Sequence, residues 1–251
     1  MPRLSQVQMP IERYFLDEPL EEHDTKLIMG AEFHHLAHVL RTRVGDAVEI
    51  VNGRGVLAQA TLQSLAKDRA VVRIEELQEE TAPSNRIILA QALPKLNRLD
   101  FILEKGTELG VDEFWLFPGQ LSQKKEFSAN QFERACSITI AALKQCGRLT
   151  LPLIKILPAL EKWSQINGIA FFGHTGEDAE LFCYAWARSQ QTISGFPITF
   201  FVGPESGWSP EEILLLKSKG VQAVKLHSNV LRTDTASLVA ISLIHHWMLA
   251  S

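Results

Sequence analysis

Two consecutive strand–loop–helix units near the C-terminus constrain the fold most strongly. The apolar run Ile198–Val202 leads into the glycine-containing loop 203–209 and then into a helical run. A second apolar run, 221–226, leads into the polar loop 227–236 and a long apolar helical segment. Strands that alternate with helices form parallel sheets. Because the carboxyl ends of neighbouring parallel strands form a ligand-binding crevice, we place the functional site at these two loops.

The same alternation extends through the chain from residue 87 onward. Helix stop signals support it, since Gly110 and Gly147 each follow a helical run. The pattern predicts a parallel sheet with helices on both faces. Strands are predicted at 87–93, 113–117, 153–156, 169–173, 198–202 and 223–226, and helices at 98–109, 131–146, 179–188, 210–219 and 235–249.

The first third of the chain shows short strands and tight turns instead. The spacing of apolar residues predicts a short helix over 31–40. Strands are predicted at 47–51, 57–62 and 69–74, with an Asn-Gly hairpin signal at 52–53. Short strands joined by tight turns indicate a small β-barrel. The polar, acidic segment 75–84 reads as a linker, so we predict domains at 1–76 and 84–251.

The net charge argues against a protein that binds nucleic acid over its whole surface, but it is compatible with a local basic face. The 251 residues carry a net charge of −4. Between residues 41 and 73, however, six basic residues stand against three acids, which is compatible either with an RNA-binding face or with an ordinary solvated sheet surface. The six are Arg41, Arg43, Arg54, Lys67, Arg69 and Arg73.

The composition along the chain favours a cytoplasmic protein that has no membrane-spanning segment and no metal site. Residues 1–16 contain no continuous apolar segment of the secretory type, and no apolar stretch reaches bilayer length. The three cysteines form neither a CxxC pair nor a disulfide framework. The histidines at 34, 35 and 38 have no carboxylate or cysteine partner at metal-ligand spacing, so we expect no zinc site.

The two C-terminal loops match no common nucleotide fingerprint. The first lacks both the G-x-G-x-x-G spacing of dinucleotide folds and the G-K-[ST] ending of phosphate loops. In the second, a polar run from Leu231 to Ala236 opens an otherwise apolar helix. Asp234 or Thr233 would serve there as a helix cap. Capping does not account for Arg232, which we therefore place in the crevice.

Four motifs in order resemble the RsmE family, bacterial methyltransferases of the knotted SPOUT superfamily that make N3-methyluridine in small-subunit ribosomal RNA. Gly-Pro-Glu-x-Gly-Trp-Ser at 203–209 and Leu-Arg-Thr-Asp-Thr-Ala at 231–236 resemble its C-terminal signature. His-His-Leu-x-x-Val-Leu-Arg at 34–41, followed by Gly-Asp, resembles the start of its PUA-like barrel. Lys-x-x-Arg-x-Asp at 95–100, with Lys-x-Thr-Glu-Leu-Gly-Val at 105–111, and Gln-Cys-Gly-Arg at 145–148 complete the set.

The resemblance implies an N-terminal PUA-like β-barrel and a C-terminal SPOUT α/β domain with a deep trefoil knot. In this family S-adenosylmethionine lies in the knot, held by three loops that fall here at 173–176, 202–208 and 226–236. The adenine would lie against Leu226, Val230 and Leu231. The implied donor-binding residues are His174, Thr175, Val202, Gly203, Glu205, Gly207, Trp208, Leu226, Val230, Leu231, Thr235 and Ala236.

The chain departs from the family pattern inside these loops. Ser206 stands where glycine is usual, and His-Ser-Asn at 227–229 replaces Gly-x-Arg. Ser206 and His227 therefore add side chains beside the expected donor. Lys144 also stands where an acid is common.

Methylating uracil N3 requires loss of its proton, and the developing negative charge spreads onto O2 and O4. We expect Arg232 to stabilise that charge. Asp234 or Glu205 would orient Arg232 or accept the proton, and the sequence does not rank them. The substrate would be 16S ribosomal RNA or the small subunit, contacted by basic side chains. The candidates are Arg41, Arg43, Arg54, Lys95 and Arg98.

The family also implies a homodimer, for which the apolar residues Leu238, Ile241 and Ile244 could form the interface or simply belong to the core. Two other functions stay open at this point. One is a non-catalytic RNA-binding or ribosome-assembly protein that has lost donor binding. The other is a SPOUT methyltransferase acting on another RNA or another atom. A small-molecule α/β enzyme is disfavoured, because no nucleophile–base pair or cofactor fingerprint is present.

Overall fold

The computed structural model describes residues 13–81, 85–189 and 195–250, which fall into two compact units. The first contains Met1–Ala82 together with Ile140–Leu151. The second contains Pro83–Thr139 and Pro152–Ser251. The end of one helix and the loop after it thus belong to the first unit, although they follow the start of the second along the chain.

The first unit is built on a five-stranded sheet. Its strands are β1 (Arg13–Phe15), β2 (Thr25–Met29), β3 (Ala47–Val51), β4 (Val56–Leu65) and β5 (Arg69–Glu79). Their order is β1-β3-β4-β5-β2, with β1 and β3 parallel and the other pairs antiparallel. Within the described residues β1 and β2 are the edge strands, so this sheet is not closed by a hydrogen-bonded β1–β2 pair.

The helix predicted over 31–40 in this unit does not continue in one geometry. Helix α1 covers Gly30–His34, and a π-helical segment follows over His35–Leu40. The segment ends at Arg41 with a left-handed backbone, φ 56°. Phe33 and Leu36 are buried in the same core as Ile28, as the predicted apolar stripe requires, but Val39 and Leu40 of that stripe are exposed because they lie on the π-helical segment.

The predicted linker at 75–84 is wrong for its first half. Strand β5 continues to Glu79 and pairs with β4, with Val56 opposite Glu79. Backbone hydrogen bonds to a neighbouring strand hold these residues extended despite their polar composition. Residues 82–84 of that linker lie outside the described ranges.

The second unit alternates strands and helices as predicted. Its strands are β6 (Ile87–Ala92), β7 (Glu113–Phe117), β8 (Leu153–Ile156), β9 (Ile169–Gly173), β10 (Glu180–Leu181), β11 (Ile198–Val202) and β12 (Gln222–Lys225). Its helices are α2 (Leu96–Glu108), α3 (Ala129–Cys146, which ends in the first unit), α4 (Phe182–Ser189), α5 (Pro210–Ser218) and α6 (Thr233–Leu249). A 3-10 turn spans Leu160–Lys162. The strands form one parallel sheet in the order β10-β12-β9-β11-β6-β7-β8.

Both faces of this sheet are apolar, because the central strands consist largely of apolar residues. Phe171 and Phe200 pack in one core and Phe172 and Phe201 in the other, because successive strand residues point to opposite faces. The first core also contains residues of α2, α4 and α6, and the second contains Leu216 of α5. Helices therefore cover both faces, and the predicted parallel α/β architecture is confirmed.

The structure decides two smaller expectations. Of the two alternatives for the apolar residues of α6, core and dimer interface, the core holds for Ile241 and Ile244, which are fully buried, while Leu238 is half-buried. Residues 180–181, predicted as helix, form the short strand β10, because they pair with β12 at the sheet edge.

In the described part of the chain, no helix is long and apolar enough to cross a membrane.

The strand order brings three loops together. Strand β11 lies between β9 and β6, and β12 lies on the far side of β9. After β12 the chain returns across β9, and α6 packs against α2, β6 and β11. The loops that follow β9, β11 and β12 consequently meet at the carboxyl edge of the sheet.

Candidate donor and acceptor site

A cavity of about 760 Å³ lies where these three loops meet. Its lining includes eleven of the twelve residues that the family resemblance implies for the donor. They are His174, Thr175, Val202, Gly203, Glu205, Gly207, Trp208, Leu226, Val230, Leu231 and Ala236. The twelfth, Thr235, is exposed in the first turn of α6 and does not line the cavity.

The loop after β11 is pinned at its end by a helix cap. Ser209 caps α5 reciprocally with Glu212: the Ser209 hydroxyl accepts from the Glu212 amide, and the Glu212 carboxylate accepts from the Ser209 amide. Pro210 occupies the first helical turn, where its missing N–H costs nothing. The start of α5 therefore fixes where the loop must end.

Trp208 ties this loop to the neighbouring strand. Its indole Nε1 donates to the carbonyl oxygen of Gly173, at the end of β9, over 3.0 Å. The ring lies against Gly203, where an added Cβ would come within 3.2 Å of the indole. It also stacks on Phe117, with the two planes 11° apart. Glycine at 203 thus permits a close contact that rigidifies two of the three loops.

An ion-pair chain lies at one side of the cavity. His174, half-buried in the lining, has its Nε2 3.4 Å from the Asp178 carboxylate, which also binds Lys217. The hydrogen bond from Lys217 holds the pKa of the Asp178 carboxyl below its usual range and outweighs the opposite effect of partial desolvation. Asp178 is therefore charged at neutral pH and orients the imidazole of His174.

The residues that depart from the family pattern lie on the exposed part of the lining. Ser206, His227 and Asn229 are all exposed and all face the cavity. The His227 ring accepts at Nδ1 a hydrogen bond of 3.0 Å from the Asn229 amide, which closes a tight turn in the third loop. That acceptor role requires His227 to be unprotonated at Nδ1.

The charged groups pair differently from our expectation. Both candidate carboxylates bind Arg98 and not Arg232. Arg98 Nη1 lies 2.9 Å from Asp234 Oδ2, and Arg98 Nε lies 3.3 Å from Glu205 Oε1. Glu205 Oε1 also accepts from the Lys95 amide over 3.0 Å. Sequence reasoning missed this cluster because Arg98 lies more than a hundred residues from either carboxylate along the chain.

Arg232 is exposed and lines the cavity, and its guanidinium has no hydrogen-bond or ion-pair partner in the described part of the chain. Its backbone precedes α6, with its carbonyl accepting from the Ala236 amide over 2.7 Å. Lys225 also lines the cavity without an ion-pair partner in the described residues, so the cavity presents two unpaired cations, Arg232 and Lys225, together with Arg98, which is committed to two carboxylates.

Two family models cover most of the sequence. Residues 80–245 match an RNA methyltransferase domain, and residues 28–75 match an RNA methyltransferase PUA domain. A solved ribosomal RNA small subunit methyltransferase E from Neisseria gonorrhoeae, bound to S-adenosyl methionine, is 30% identical, with a TM-score of 0.82 over 96% of this chain and 98% of that one. The ribosomal RNA small subunit methyltransferase E of Synechocystis is 30% identical over 88% of this chain and 73% of its own length. The chain belongs to the ribosomal RNA small subunit methyltransferase E (RsmE) family.

Another member of the RsmE family, from Bacillus subtilis, is 28% identical over 94% of this chain and 96% of its own length. The similarity therefore extends through both units. The PUA match begins near the end of β2 and covers most of the five-stranded sheet.

The basic residues proposed for RNA contact divide between the two units. Arg41 and Arg43 are exposed in the first unit, and their guanidinium groups have no partner in the described ranges. Arg54 is exposed there too but pairs with Asp17. Lys95 is exposed in the second unit, and Arg98 lies in the RsmE-type cavity and not on an open surface.

Sequence reasoning also missed a buried polar group beneath the cavity. It consists of Gln91 on β6 and two residues of the first turns of α6, Thr233 and Ser237. A signal was present, because Gln91 is the single polar residue in an apolar strand and Thr233 and Ser237 lie four apart on an apolar helix. In the described part of the chain, no group of three His, Cys, Asp or Glu side chains could hold a metal ion.

Proposed function

We propose that this chain transfers the methyl group of S-adenosylmethionine to N3 of a uridine in 16S ribosomal RNA. The three-loop cavity is the observation that carries the proposal, since it lies in a member of the RsmE family and a relative in that family was solved with S-adenosyl methionine. The donor supplies a methyl group on a cationic sulfur, which leaves as a neutral thioether, so the reaction needs no metal.

The residues of the cavity fit such a donor. Leu226, Val230 and Leu231 provide apolar surface for an aromatic base, while the first two loops provide backbone polar groups. At Gly203 a side chain would collide with Trp208 and narrow the cavity. The departures Ser206 and His227 are exposed and leave the space between the loops open.

Arg232 is placed to stabilise the transition state. Loss of the N3 proton leaves negative charge on the uracil oxygens, and a guanidinium beside them lowers the energy of that charge. Arg98 is less suited to this role, because two carboxylates already neutralise it. The uncommitted Arg232 keeps its full charge for the substrate.

The contacts favour Glu205 over Asp234 as proton acceptor. Glu205 lines the cavity, and its Oε2 has no partner in the described part of the chain. Asp234 does not line the cavity, and both of its oxygens are engaged, one by Arg98 and the other by the Thr235 amide. We therefore assign Glu205 to the N3 proton and Asp234 to the positioning of Arg98.

The finer structural and cellular features belong to the same proposal. We propose that the chain forms a deep trefoil knot of the SPOUT type; the return from β12 across β9 to α6, which packs against β6 and β11, supports this proposal. We also propose a cytoplasmic homodimer. Exposed apolar side chains on α2 and α6, such as Phe101 and Leu249, support an interface there, and light scattering of the purified protein tests it.

Calorimetric titration with S-adenosylmethionine and its demethylated product tests the donor half of the proposal. We expect saturable binding of both. Incubation with small-subunit RNA and labelled donor should then place one methyl group on a uridine, where N3-methylation blocks base pairing and stops reverse transcription. Donor binding without transfer to any RNA would contradict the assigned reaction. If the protein bound RNA but failed to bind the donor, the ribosome-assembly alternative would be favoured. Methylation at another atom would favour a SPOUT methyltransferase of different specificity.

The first unit is proposed to bind RNA through Arg41 and Arg43. The double variant Arg41→Ala/Arg43→Ala should weaken RNA binding and reduce the salt slope of log K by about 0.7–0.9 for each lost phosphate contact. Donor affinity should stay unchanged. Filter binding over a range of salt concentrations measures the slope, and the exposed Lys162→Ala in the second unit is the control for loss of a positive charge elsewhere on the surface. An unchanged slope would show that these arginines do not contact phosphate.

A further inference from the structure

A fully buried amide, Gln91, lies beneath the cavity on the central strand β6. Its neighbour across the sheet is Val202, the last residue of β11. Gln91 is not part of the lining and cannot touch a ligand in the cavity. Burial of an uncompensated amide is unfavourable, so its hydrogen bonds account for its presence there.

The orientation of this amide is fixed by the carbonyl groups around it. Gln91 Nε2 lies 2.9 Å from the Ala92 carbonyl oxygen and 3.4 Å from those of Val202 and Gly203. If the amide were rotated by half a turn, its oxygen would face three other oxygens with no hydrogen between them. In the observed orientation Gln91 Oε1 accepts from the Ser237 hydroxyl over 2.7 Å.

A relay of hydrogen bonds connects this amide to two loops of the cavity. Gln91 Nε2 donates to the Thr233 hydroxyl over 3.1 Å, and that hydroxyl donates to the Gly203 carbonyl over 2.7 Å. Thr233 begins α6 at the end of the third loop, and Gly203 begins the second loop. Both line the cavity. The Thr233 hydroxyl thus joins the two loops directly, and Gln91 holds that hydroxyl in place by donating to it from below.

We propose that Gln91 is a positioning residue for the methyl donor, which it never touches. By holding Gly203 and Thr233 at a fixed separation, it keeps the donor site formed before the donor arrives. Preorganisation of this kind raises affinity because the loops need not be ordered on binding. The inference rests on the proposed function, since it concerns the affinity of the same cavity for S-adenosylmethionine.

The variant Gln91→Met tests the inference, because it keeps the length of the side chain and removes its hydrogen bonds. We expect the dissociation constant for S-adenosylmethionine to rise at least tenfold in calorimetry well below the melting temperature. The KM for the donor should rise in parallel, while kcat at saturating donor and the affinity for RNA stay within about threefold. A merely structural role would instead lower the folded fraction of the protein. The number of donor sites per chain, kcat and the amount of RNA bound would then fall together.

Thr199→Val is the matched control. Thr199 is fully buried on β11, and its hydroxyl has no hydrogen-bond partner in the described part of the chain, so the change should leave donor affinity unaltered. Thr233→Val removes the relay at its second step and should weaken the donor in the same direction. If Gln91→Met does not fold, Ser237→Ala decides the matter, because it removes the hydrogen bond to Gln91 Oε1 from a buried residue outside the cavity lining.

Donor affinity within twofold of wild type in the folded relay variant would overturn the positioning role. An equal loss in Thr199→Val would overturn it too, because any buried change would then have the same effect. If the wild-type protein itself binds no S-adenosylmethionine, the proposed function fails and this inference fails with it. Normal wild-type binding together with unaffected variants removes the inference alone.

Discussion

Replacing Arg232 with alanine should slow methyl transfer by roughly 10²–10³-fold at saturating donor and RNA. The affinity for S-adenosylmethionine should stay within about twofold of wild type. The reason is that Arg232 is exposed at the cavity and makes no contact that supports the loops, so its removal takes away charge without altering the donor site. Single-turnover rates measured beside calorimetric donor affinity test both halves of this expectation.

Two further variants make the result interpretable. Arg232→Lys keeps the charge but loses the planar fork of donors, so it should recover only part of the rate. Arg134→Ala removes an exposed arginine on α3 that pairs with Asp100, and it should leave rate and affinity unchanged. Equal losses of donor affinity and rate in Arg232→Ala would contradict the role given to Arg232 and would make it a donor-binding residue.

The architecture of the second unit could be read from the sequence because its signals are local. Strands such as β9 and β11 are buried on both faces and appear as largely apolar runs bounded by glycine or proline. The loops that form the cavity carry glycines and polar residues where apolar periodicity stops. The carboxyl-edge rule for parallel sheets then places them together.

The parts that could not be predicted depend on distant partners. Strands β1 and β2 are short and have mixed composition, and they become strands by pairing with β3 and β5. The extension of β5 to Glu79 has the same origin. Nothing near Arg98 in the sequence indicates that it binds Glu205 and Asp234. Its charge alone suggested an RNA contact on the surface and gave no sign that it lies in the cavity.

The contacts of the carboxylates change what each arginine can do. In the sequence, Arg232 lies two residues before Asp234, and Glu205 lies in the other loop of the expected crevice, which suggests one cluster of three. In the structure, Arg98 separates the groups: it binds both acids and leaves Arg232 unpaired. A free cation next to a cluster whose own cation is already paired suits a reaction in which negative charge develops on the substrate, because the free cation is not already satisfied in the ground state.

Glu205→Gln should lower kcat by roughly 10²–10⁴-fold near neutral pH, the range expected when a general base is lost. The amide oxygen can still accept from the Lys95 amide and from Arg98, so the loop should keep its position and donor affinity should change little. Asp234→Asn should have a smaller effect on rate, about tenfold, because Asp234 acts through Arg98. Measurement of kcat and donor affinity in the two variants compares their roles directly.

The pH dependence of the two variants separates the proton acceptor from the positioning residue. As pH rises, more of the uridine loses its N3 proton to solvent and needs no base, so the deficit of Glu205→Gln should shrink steadily. The deficit of Asp234→Asn should stay constant, because the geometry of Arg98 does not depend on the protonation of uridine. If Asp234→Asn showed the larger loss and its deficit narrowed with pH, Asp234 would be the acceptor. The free Oε2 of Glu205 would then have no part in proton transfer.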